Sequence, residues 1–541
     1  MTSAAKKRII GLLAAALLLT GCGLQTEPAQ TLPEEYTVVT SPLEGEEVLP
    51  SRQAIDDVFS LNFDPDGGTN PLRAVSSTNM QFWSLLYDSV FTVDENFSVS
   101  SEIVTEIRSD DYCWWVFQMN TDICFSDGTP MTVEDVVYSI RQAAQSAYYK
   151  NRLSMIYGVS AIEADTFAIT TSYADSQFPA LLNIPIIKKG DYYEDWPIGS
   201  GPYALNEDHS ALVLNPCSRH AGEMPLDTIY LKTLADTSAR ITAFETAGID
   251  LVTNDPTGMF NLGYGSSNEK RYYDTTNLHY IGFNMKSMYF QYFRIRYALG
   301  YAIDREYIAD NLMSGCGTPT VLPVHPKSEL YDEEYAAGFG YNPKKAAALF
   351  EAAGIGDLDD DGLLEVLVTG IVVELNIKFI VNNDSTAKVA AARHICEELN
   401  GMGITTKLYE LTWEDYLTAL ETGDYDMYYG ELRMTPDWNL SELFRVRPAR
   451  KSPDEEFIGM NYAQNTDTAY CDLYDAYLAA PADERAEAFH AVVQYITEAG
   501  SILPICFERR EILTHRGTIS GIRATQYDLF HKFSEWTIDL T

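Results

Sequence analysis

Residues Tyr112 to Ala144 read YCWWVFQMNTDICFSDGTPMTVEDVVYSIRQAA, and this stretch carries the strongest structural signals in the chain. It begins with an aromatic and apolar run typical of a strand, which is followed by a polar turn and a second short extended run. We therefore predict a hairpin over residues 112–125. Thr132 and Asp135 then stand three positions apart before an apolar run at helical spacing. That pattern is a capping box, so we predict that a helix begins there.

Helix-like and strand-like segments alternate irregularly along the rest of the chain. The clearest helix is predicted over Arg294 to Asn311, with Arg294, Arg296, Asp304 and Arg305 largely on the face away from the core. Periodicity and cap residues predict further helices and strands at 342–354, 389–401, 404–409, from 412, 425–429 and 483–499. This alternation predicts α/β domains with mixed sheets.

The composition excludes several classes of protein. The chain has 541 residues, of which 46% are hydrophobic, and its net charge is −40. A chain with so many hydrophobic residues can bury a core, which excludes a disordered protein. Its length allows about three domains. An acidic balance this large repels phosphate backbones, so no nucleic-acid partner is expected.

The first 22 residues have the layout of an export signal. Three cations at positions 6–8 precede an uncharged apolar run that is too short to span a bilayer. The run leads to LTGC at positions 19–22, which resembles the lipobox of bacterial lipoproteins, in which the Cys receives a diacylglycerol. We predict a signal peptide at 1–21, lipidation of Cys22 and a flexible tether at 22–50. An ordinary secreted protein that is cleaved elsewhere is the alternative.

The sequence lacks the common catalytic and nucleotide-binding motifs. It has no G-x-S-x-G, H-E-x-x-H, G-x-x-x-x-G-K-[ST] or G-x-G-x-x-G motif, and its histidines are scattered. Asp357, Asp359 and Asp361 resemble the start of a calcium loop, but Val368 stands where that loop needs a bidentate Glu. We interpret this segment as a solvated acidic turn, and we expect neither a metal ion nor a cofactor.

Four motifs resemble extracellular solute-binding protein family 5, the binding proteins of peptide and nickel ABC importers. They lie at 115–140, at 198–203 (IGSGPY), at Asn284 with 294–305, and at 341–354. The likeness extends over about residues 50–541. It implies a two-lobed α/β fold of the periplasmic-binding-protein type, with mixed sheets and an extra inserted domain.

The resemblance also implies an order of domains. Domain I would comprise 51–90, 197–285 and 500–541, domain II would comprise 91–196, and domain III, the second ligand-binding lobe, would comprise 286–499. Gly199 and Gly201 would form a hinge at one crossing between domains, because a hinge must absorb backbone rotation without a Cβ clash.

The predicted ligand-binding region is Tyr425 to Phe444, which is rich in aromatic and charged residues directly after a predicted strand. An ordinary packed aromatic loop is the alternative. The candidate contact residues are Tyr428, Tyr429, Glu431, Arg433, Asp437 and Trp438.

This region departs from the pattern of the peptide-binding relatives. Those proteins usually have a Gly-Trp pair followed by an Asp that takes the peptide's amino group, whereas here Glu431 follows Gly430 and Met434 stands at the Asp position. Arg433 could instead hold a carboxylate, Glu431 or Asp437 could supply the negative charge, or the ligand is not a peptide.

The sequence therefore predicts a receptor and not an enzyme. It would be lipid-anchored on the extracytoplasmic face of the cell membrane and would touch the membrane only through its anchor. It would capture a small solute, most simply a peptide, and deliver it to an ABC permease and ATPase complex. A nickel-chelate or other non-peptide receptor of the same fold is one alternative, and a secreted surface hydrolase is another.

Overall fold

The structure is a computed structural model that describes residues 57–258, 263–265, 268–368, 370–444, 461–464 and 468–540. The predicted signal peptide, Cys22 and the tether lie outside these ranges. Among the helices of the described residues, none combines the length and the apolar character that a membrane span requires.

The strands alternate with helices along the described chain. The strands are β1 Ser60–Phe63, β2 Thr92–Val93, β3 Val99–Ser100, β4 Val104–Arg108, β5 Trp114–Met119, β6 Ile156–Ala161, β7 Thr166–Thr171, β8 Tyr203–Leu205, β9 Ala211–Leu214, β10 Thr228–Thr233, β11 Leu251–Asn254, β12 Glu269–Phe283, β13 Gly317–Pro319, β14 Ile355–Gly356, β15 Glu365–Val368, β16 Ile371–Glu374, β17 Asn376–Asn382, β18 Thr405–Leu411, β19 Met427–Arg433, β20 Ile502–Thr514, β21 Ile519–Ser520 and β22 Thr537–Ile538. The α-helices are α1 Trp83–Leu86, α2 Val133–Ala143, α3 Phe178–Leu181, α4 Thr237–Glu245, α5 Phe293–Leu299, α6 Arg305–Tyr307, α7 Glu333–Ala336, α8 Pro343–Ala352, α9 Thr386–Gly401, α10 Trp413–Thr422, α11 Ser441–Phe444, α12 Ala469–Ala479 and α13 Arg485–Ala499.

The largest sheet has the order β11-β20-β12-β19-β17-β18, and β13 also pairs with β20. β17 runs parallel to both β18 and β19, whereas β12 runs antiparallel to β19 and β20. Side chains that alternate along β12 and β19 enter two separate apolar cores, one on each face of the sheet. The sheet is therefore mixed, as the sequence predicted, and the structure shows that both of its faces are buried.

The smaller sheets lie outside this central layer. The order β4-β5-β7-β6 forms an antiparallel sheet wholly inside the segment predicted to be domain II. The central sheet takes β11, β12 and β20 from segments assigned to domain I and β17, β18 and β19 from the segment assigned to domain III. The domain boundaries themselves stay a prediction.

The hairpin predicted over residues 112–125 is wrong. β5 pairs with β4 on one side and with β7 on the other, so residues 120–125 have no place beside it. They form a separate turn, in which Phe125 N–H donates to the Thr129 carbonyl at 2.8 Å. β5 is a central strand, and β4 and β7 already occupy both of its edges. No edge of β5 is therefore left for residues 120–125.

Three helices, α2, α8 and α10, begin at the cap residues that the sequence predicted. The capping box at α2 is confirmed: the backbone N–H of Thr132 donates to the Asp135 carboxylate at 2.8 Å. Asn342 and Thr412 likewise cap α8 and α10 through side-chain oxygens. These signals are reliable because a cap satisfies amides only three residues away.

The continuous helix predicted over Arg294 to Asn311 is wrong. α5 ends at Leu299, and a new helical segment starts at Asp304, whose side chain accepts from the Tyr307 N–H at 2.9 Å. Arg296 and Arg305, which were expected to face away from the core, are buried.

Both arginines bind backbone carbonyls from a distant part of the chain. The Arg296 guanidinium donates to the Ala499 carbonyl at 2.6 Å, and Arg305 donates to the Pro504 carbonyl at 2.6 Å. Burial lowers the pKa of each guanidinium to about 10. A cation at the C-terminal end of α13 satisfies carbonyls that the helix leaves unpaired.

Gly199 and Gly201 lie against the backbone of residues 85–87. A Cβ added at Gly199 would lie 2.0 Å from the Leu86 carbonyl oxygen, and one at Gly201 would lie 2.6 Å from the Leu85 carbonyl oxygen. Close approach therefore requires glycine at both positions, whatever their role in motion, and the hinge function stays a prediction.

We expect Gly199→Ala to destabilise the protein by about 2 kcal/mol, because the new methyl group must displace packed backbone. Urea unfolding monitored by tryptophan fluorescence measures this. Gly340→Ala is the matched control, since its Cβ meets open space and its φ of −65° suits alanine. Equal midpoints for the two variants would show that this close contact does not exist.

Candidate functional site

Tyr428 and Tyr429 lie on β19, between β12 and β17. They point to opposite faces of the sheet, and each is only 2% exposed. The Tyr428 ring packs edge-on against Tyr280, and the Tyr429 hydroxyl lies 3.1 Å from Nδ1 of His279. Both tyrosines thus form part of the packed core, and their contact with a ligand stays a prediction.

The Glu431 side chain projects from the same strand and already contacts two other side chains. Its Oε2 lies 2.8 Å from Nζ of Lys388, and its Oε1 lies 3.3 Å from Nε2 of His279. Lys388 also contacts Asp384 at 2.6 Å. Burial alone would lower the pKa of Lys388, but the charges of Glu431 and Asp384 outweigh it and raise that pKa. The lysine therefore stays charged and neutralises part of the negative charge of Glu431 and Asp384.

Arg433 is the last residue of β19 and is exposed. Its backbone pairs with Asn277, and the next residue, Met434, is held by Thr276 through an N–H to carbonyl bond of 2.9 Å and a hydroxyl to carbonyl bond of 2.6 Å. Within the described part of the chain, the guanidinium has no hydrogen-bond or ion-pair partner. The guanidinium therefore has no described partner, while hydrogen bonds hold the backbone next to it in place.

The surroundings of Arg433 come from distant segments. Arg510 lies 3.2 Å from Glu508 and 3.8 Å from Asp255, which follows β11. Burial raises the pKa of Tyr273, and the charges of Arg510 and, to a smaller extent, Arg433 oppose that rise. A cavity of about 200 Å³ lies beside Tyr273. Polar and aromatic groups therefore converge at this end of the sheet.

One further contact links the loop after β11 to the start of α9. The Ser385 hydroxyl donates to the Thr257 carbonyl, and both residues are buried. Residues that the sequence assigned to different lobes therefore meet beside Lys388.

Asp437 and Trp438 follow β19 and are almost fully buried. The Trp438 ring packs against Phe507 and against Phe97, which lies at the tip of the β2–β3 hairpin, with centroid distances of 5.8 and 5.1 Å. Trp438 is thus covered by the chain's own aromatic rings.

The Asp437 carboxylate accepts a hydrogen bond from the Thr435 hydroxyl. It acts on a second buried acid, Asp175. Burial and then the charge of Asp437 raise the pKa of Asp175 to about 8. Burial also raises the pKa of Asp437 itself.

The acidic turn is the group of described residues with the geometry to hold a metal ion. Oxygen atoms of Asp357, Asp359, Asp361 and Glu365 lie within 4.8 Å of one another. The three aspartates are exposed, and Glu365 accepts the Leu358 N–H at 2.7 Å. Exposed carboxylates at this spacing are also what a solvated acidic turn presents.

Sequence reasoning missed Lys388, Phe97 and Asp175. Lys388 left a signal, because it shares the apolar stripe of α9 with Ala392 and Leu399, and a lysine on a buried stripe needs acidic partners. Phe97 and Asp175 left none, since Trp438 and Asp437, which bring them into the candidate site, lie more than 200 residues away in the chain.

Comparison with known proteins gives the family. The model of "Bacterial extracellular solute-binding proteins, family 5 Middle" matches residues 99–444. The oligopeptide-binding protein AppA of Bacillus subtilis is 24% identical over 397 residues, which cover 69% of this chain and 71% of AppA.

Solved structures show the same fold. The structure of Bacillus subtilis AppA in complex with a nonapeptide has a TM-score of 0.57 at 20% identity and covers 90% of this chain and 99% of AppA. A nickel ABC transporter structure from Bacillus halodurans has a TM-score of 0.70 at 18% identity and covers 87% and 98% of the two chains.

These likenesses confirm the predicted fold class, that of the two-lobed periplasmic binding proteins. The family consists of solute-binding receptors and not of enzymes, which sets aside the hydrolase alternative. With a family model that matches most of its length, the chain belongs to the bacterial extracellular solute-binding proteins of family 5.

Proposed function

We propose that this protein captures a peptide or a similar polar solute outside the cytoplasm and delivers it to the permease and ATPase of an ABC importer. The observation that carries the proposal is the exposed guanidinium of Arg433, which has no hydrogen-bond or ion-pair partner among the described residues. It stands at the end of β19, close to the polar and aromatic groups that β11, β12 and β20 supply. Such a convergence of polar and aromatic groups from distant segments is typical of a ligand site. The peptide-binding relative AppA supports a peptide as the solute.

A nickel chelate is the second candidate, because the nickel ABC transporter structure shares this fold. His279 is an imidazole close to Glu431, but it is buried, and its two ring nitrogens already lie beside Tyr429 and Glu431. A chelate would therefore have to be held through its organic acid groups and not through direct metal ligation.

The test is capture of cargo. Native mass spectrometry of freshly purified protein, before and after incubation with a random pentapeptide pool, should show a bound species that is released with unchanged mass on denaturation. Small-angle scattering of the loaded protein should show compaction if the lobes close over the solute. A protein that retains no peptide from the pool, or that releases fragments, would contradict the proposal.

We further propose that Cys22 anchors the mature chain through lipid on the extracytoplasmic face of the membrane. The LTGC motif after an apolar run supports this. Several acyl chains, at about 0.8 kcal/mol per buried CH₂, suffice for stable attachment.

We expect Cys22→Ser to move the protein from the membrane fraction to the medium or to leave it unprocessed. Cell fractionation followed by immunoblotting measures the distribution, and metabolic labelling with a fatty-acid analogue shows the lipid directly. Cys217→Ser is the control, because it removes a thiol from the folded part and leaves the lipobox intact. Unchanged membrane retention of Cys22→Ser would exclude the lipid anchor.

A further inference from the structure

The solute's anchoring group can be inferred from which charged side chains of the candidate site have partners and which do not. Four acids lie close to the end of β19 or to α9. Glu431 and Asp384 both contact Lys388. Glu508 binds Arg510 at 3.2 Å and accepts from the Asn277 amide at 2.6 Å.

Asp255 is also occupied. Its carboxylate lies 3.8 Å from Arg510 and accepts the Gly258 N–H at 2.9 Å. Asp437, farther along the chain, is buried and bonded to Thr435. Each of these carboxylates thus has a partner among the described residues, and a solute amine would have to displace it at an energetic cost.

Arg433 is in the opposite situation. It has no partner among the described residues, and the hydrogen bonds between Thr276 and Met434 fix its strand end. The Gln526 side chain holds Thr276 from the other side through two bonds of 2.9 Å. These hydrogen bonds fix the backbone beside Arg433 in the absence of a ligand, which suits a recognition residue.

A second positive charge acts on the same region. Burial raises the pKa of Tyr527, next to Gln526, and the charges of Arg152 and Arg433 oppose that rise. Arg152 donates to the Asn183 carbonyl at 2.7 Å, and its Nε has no hydrogen-bond partner among the described residues. Neither arginine forms an ion pair with a carboxylate of the described residues, and the charges of both act on Tyr527 in a protein with a net charge of −40.

We propose that the solute is a carboxylate-bearing molecule, anchored by its carboxylate on Arg433, and that the described part of the candidate site does not recognise a free α-amine. This inference rests on the proposed function and specifies its solute class. The guanidinium can bind a carboxylate with two parallel hydrogen bonds, a geometry that a lysine cannot offer. For a peptide, the bound group would be the C-terminal carboxylate or an acidic side chain.

The test uses four random pentapeptide pools that lack Asp and Glu. They have free or acetylated N-termini, combined with C-terminal acids or amides. Each pool is incubated with the full-length protein, and bound peptides are counted by mass spectrometry after rapid gel filtration. We expect the acid pools to be retained about 30-fold more than the amide pools, with no loss on acetylation.

Variants connect the preference to Arg433. Arg433→Gln should reduce the acid-to-amide ratio to near one, and Arg433→Lys should restore only part of it. Arg294→Gln is the control, because Arg294 is an exposed arginine of α5 without an ion-pair partner, and this variant should keep the wild-type ratio.

The outcomes separate the inference from the function on which it rests. Equal retention of acid and amide pools by the wild type would overturn the carboxylate anchor and leave the peptide receptor standing. A large loss on acetylation would show that an acid takes up the α-amine after all. Retention of no pool would refute peptide capture itself, and the inference with it.

Discussion

Lys388→Met is expected to lower the free energy of unfolding by about 2 to 3 kcal/mol. The Lys388 side chain is 8% exposed and holds both Glu431 and Asp384, so its removal leaves two acids beside each other without their cation. Loss of one partner from a fully buried ion pair costs about 3 to 5 kcal/mol. The value here is smaller because the Glu431 side chain is 35% exposed and water screens its charge.

Chemical denaturation at pH 7 measures this effect, and the chain offers a matched control. Lys378 pairs with Asp424 at 2.7 Å, but the two side chains are 32% and 71% exposed. Lys378→Met should therefore cost only about 0.5 kcal/mol. Adding Glu431→Gln to Lys388→Met should recover part of the loss. If the two lysine variants have equal free energies of unfolding, Lys388 is not the cation that neutralises Glu431 and Asp384.

Asp175→Asn is expected to stabilise the protein increasingly as the pH rises from about 5 to about 8. The pKa of Asp175 is raised in the folded state from 3.8 to about 8, so the folded protein holds a proton that the unfolded chain releases. Wild-type stability therefore falls over this interval, by about 1 kcal/mol per pH unit. Asparagine has no proton to lose, and its Oδ1 can still accept the Gln177 N–H.

The pH effect must be read as the difference between the variant and the wild type. His220, whose pKa is raised to about 9 by hydrogen bonding to Glu102, also loses stabilisation as the pH rises, but it does so equally in both proteins. The charges of Arg485 and Arg152 limit the rise at Asp175 and Asp437 respectively. Denaturation midpoints of both proteins at pH 5, 6, 7 and 8 give the difference. A constant difference would show that Asp175 titrates in its ordinary range.

The same experiment reports on a contact between distant segments. Ser176, next to Asp175, donates its N–H to the Leu478 carbonyl at 2.6 Å, and Gln177 donates to the Tyr477 hydroxyl at 2.5 Å. Tyr477 in turn donates to the Asp437 carbonyl at 3.0 Å. Ionisation of Asp175 beside Asp437 therefore weakens the interface that these bonds form, because like charges at low dielectric repel strongly.

Local chemistry made several features predictable. The capping box of α2 and the caps of α8 and α10 depend on residues three positions apart, so the sequence contains both partners of each bond. The helix predicted across residues 294–311 failed because Asp304 starts a second helix within it, a local signal that the apolar period concealed. The hairpin at 112–125 failed because β5 pairs with β4 and with β7, and strand pairing is decided between segments.

The sequence by itself determined the family and the mixed α/β class, because each depends on short motifs or on the alternation of segments. Only the tertiary structure decided which charges of the candidate site are available. Glu431 and Arg433 look equally free in the sequence, yet α9 brings Lys388 to the first, and no described residue comes to the second. The reason is that hydrogen bonds and ion pairs form only between groups a few ångströms apart in space, whereas Glu431 and Lys388 stand 43 residues apart along the chain.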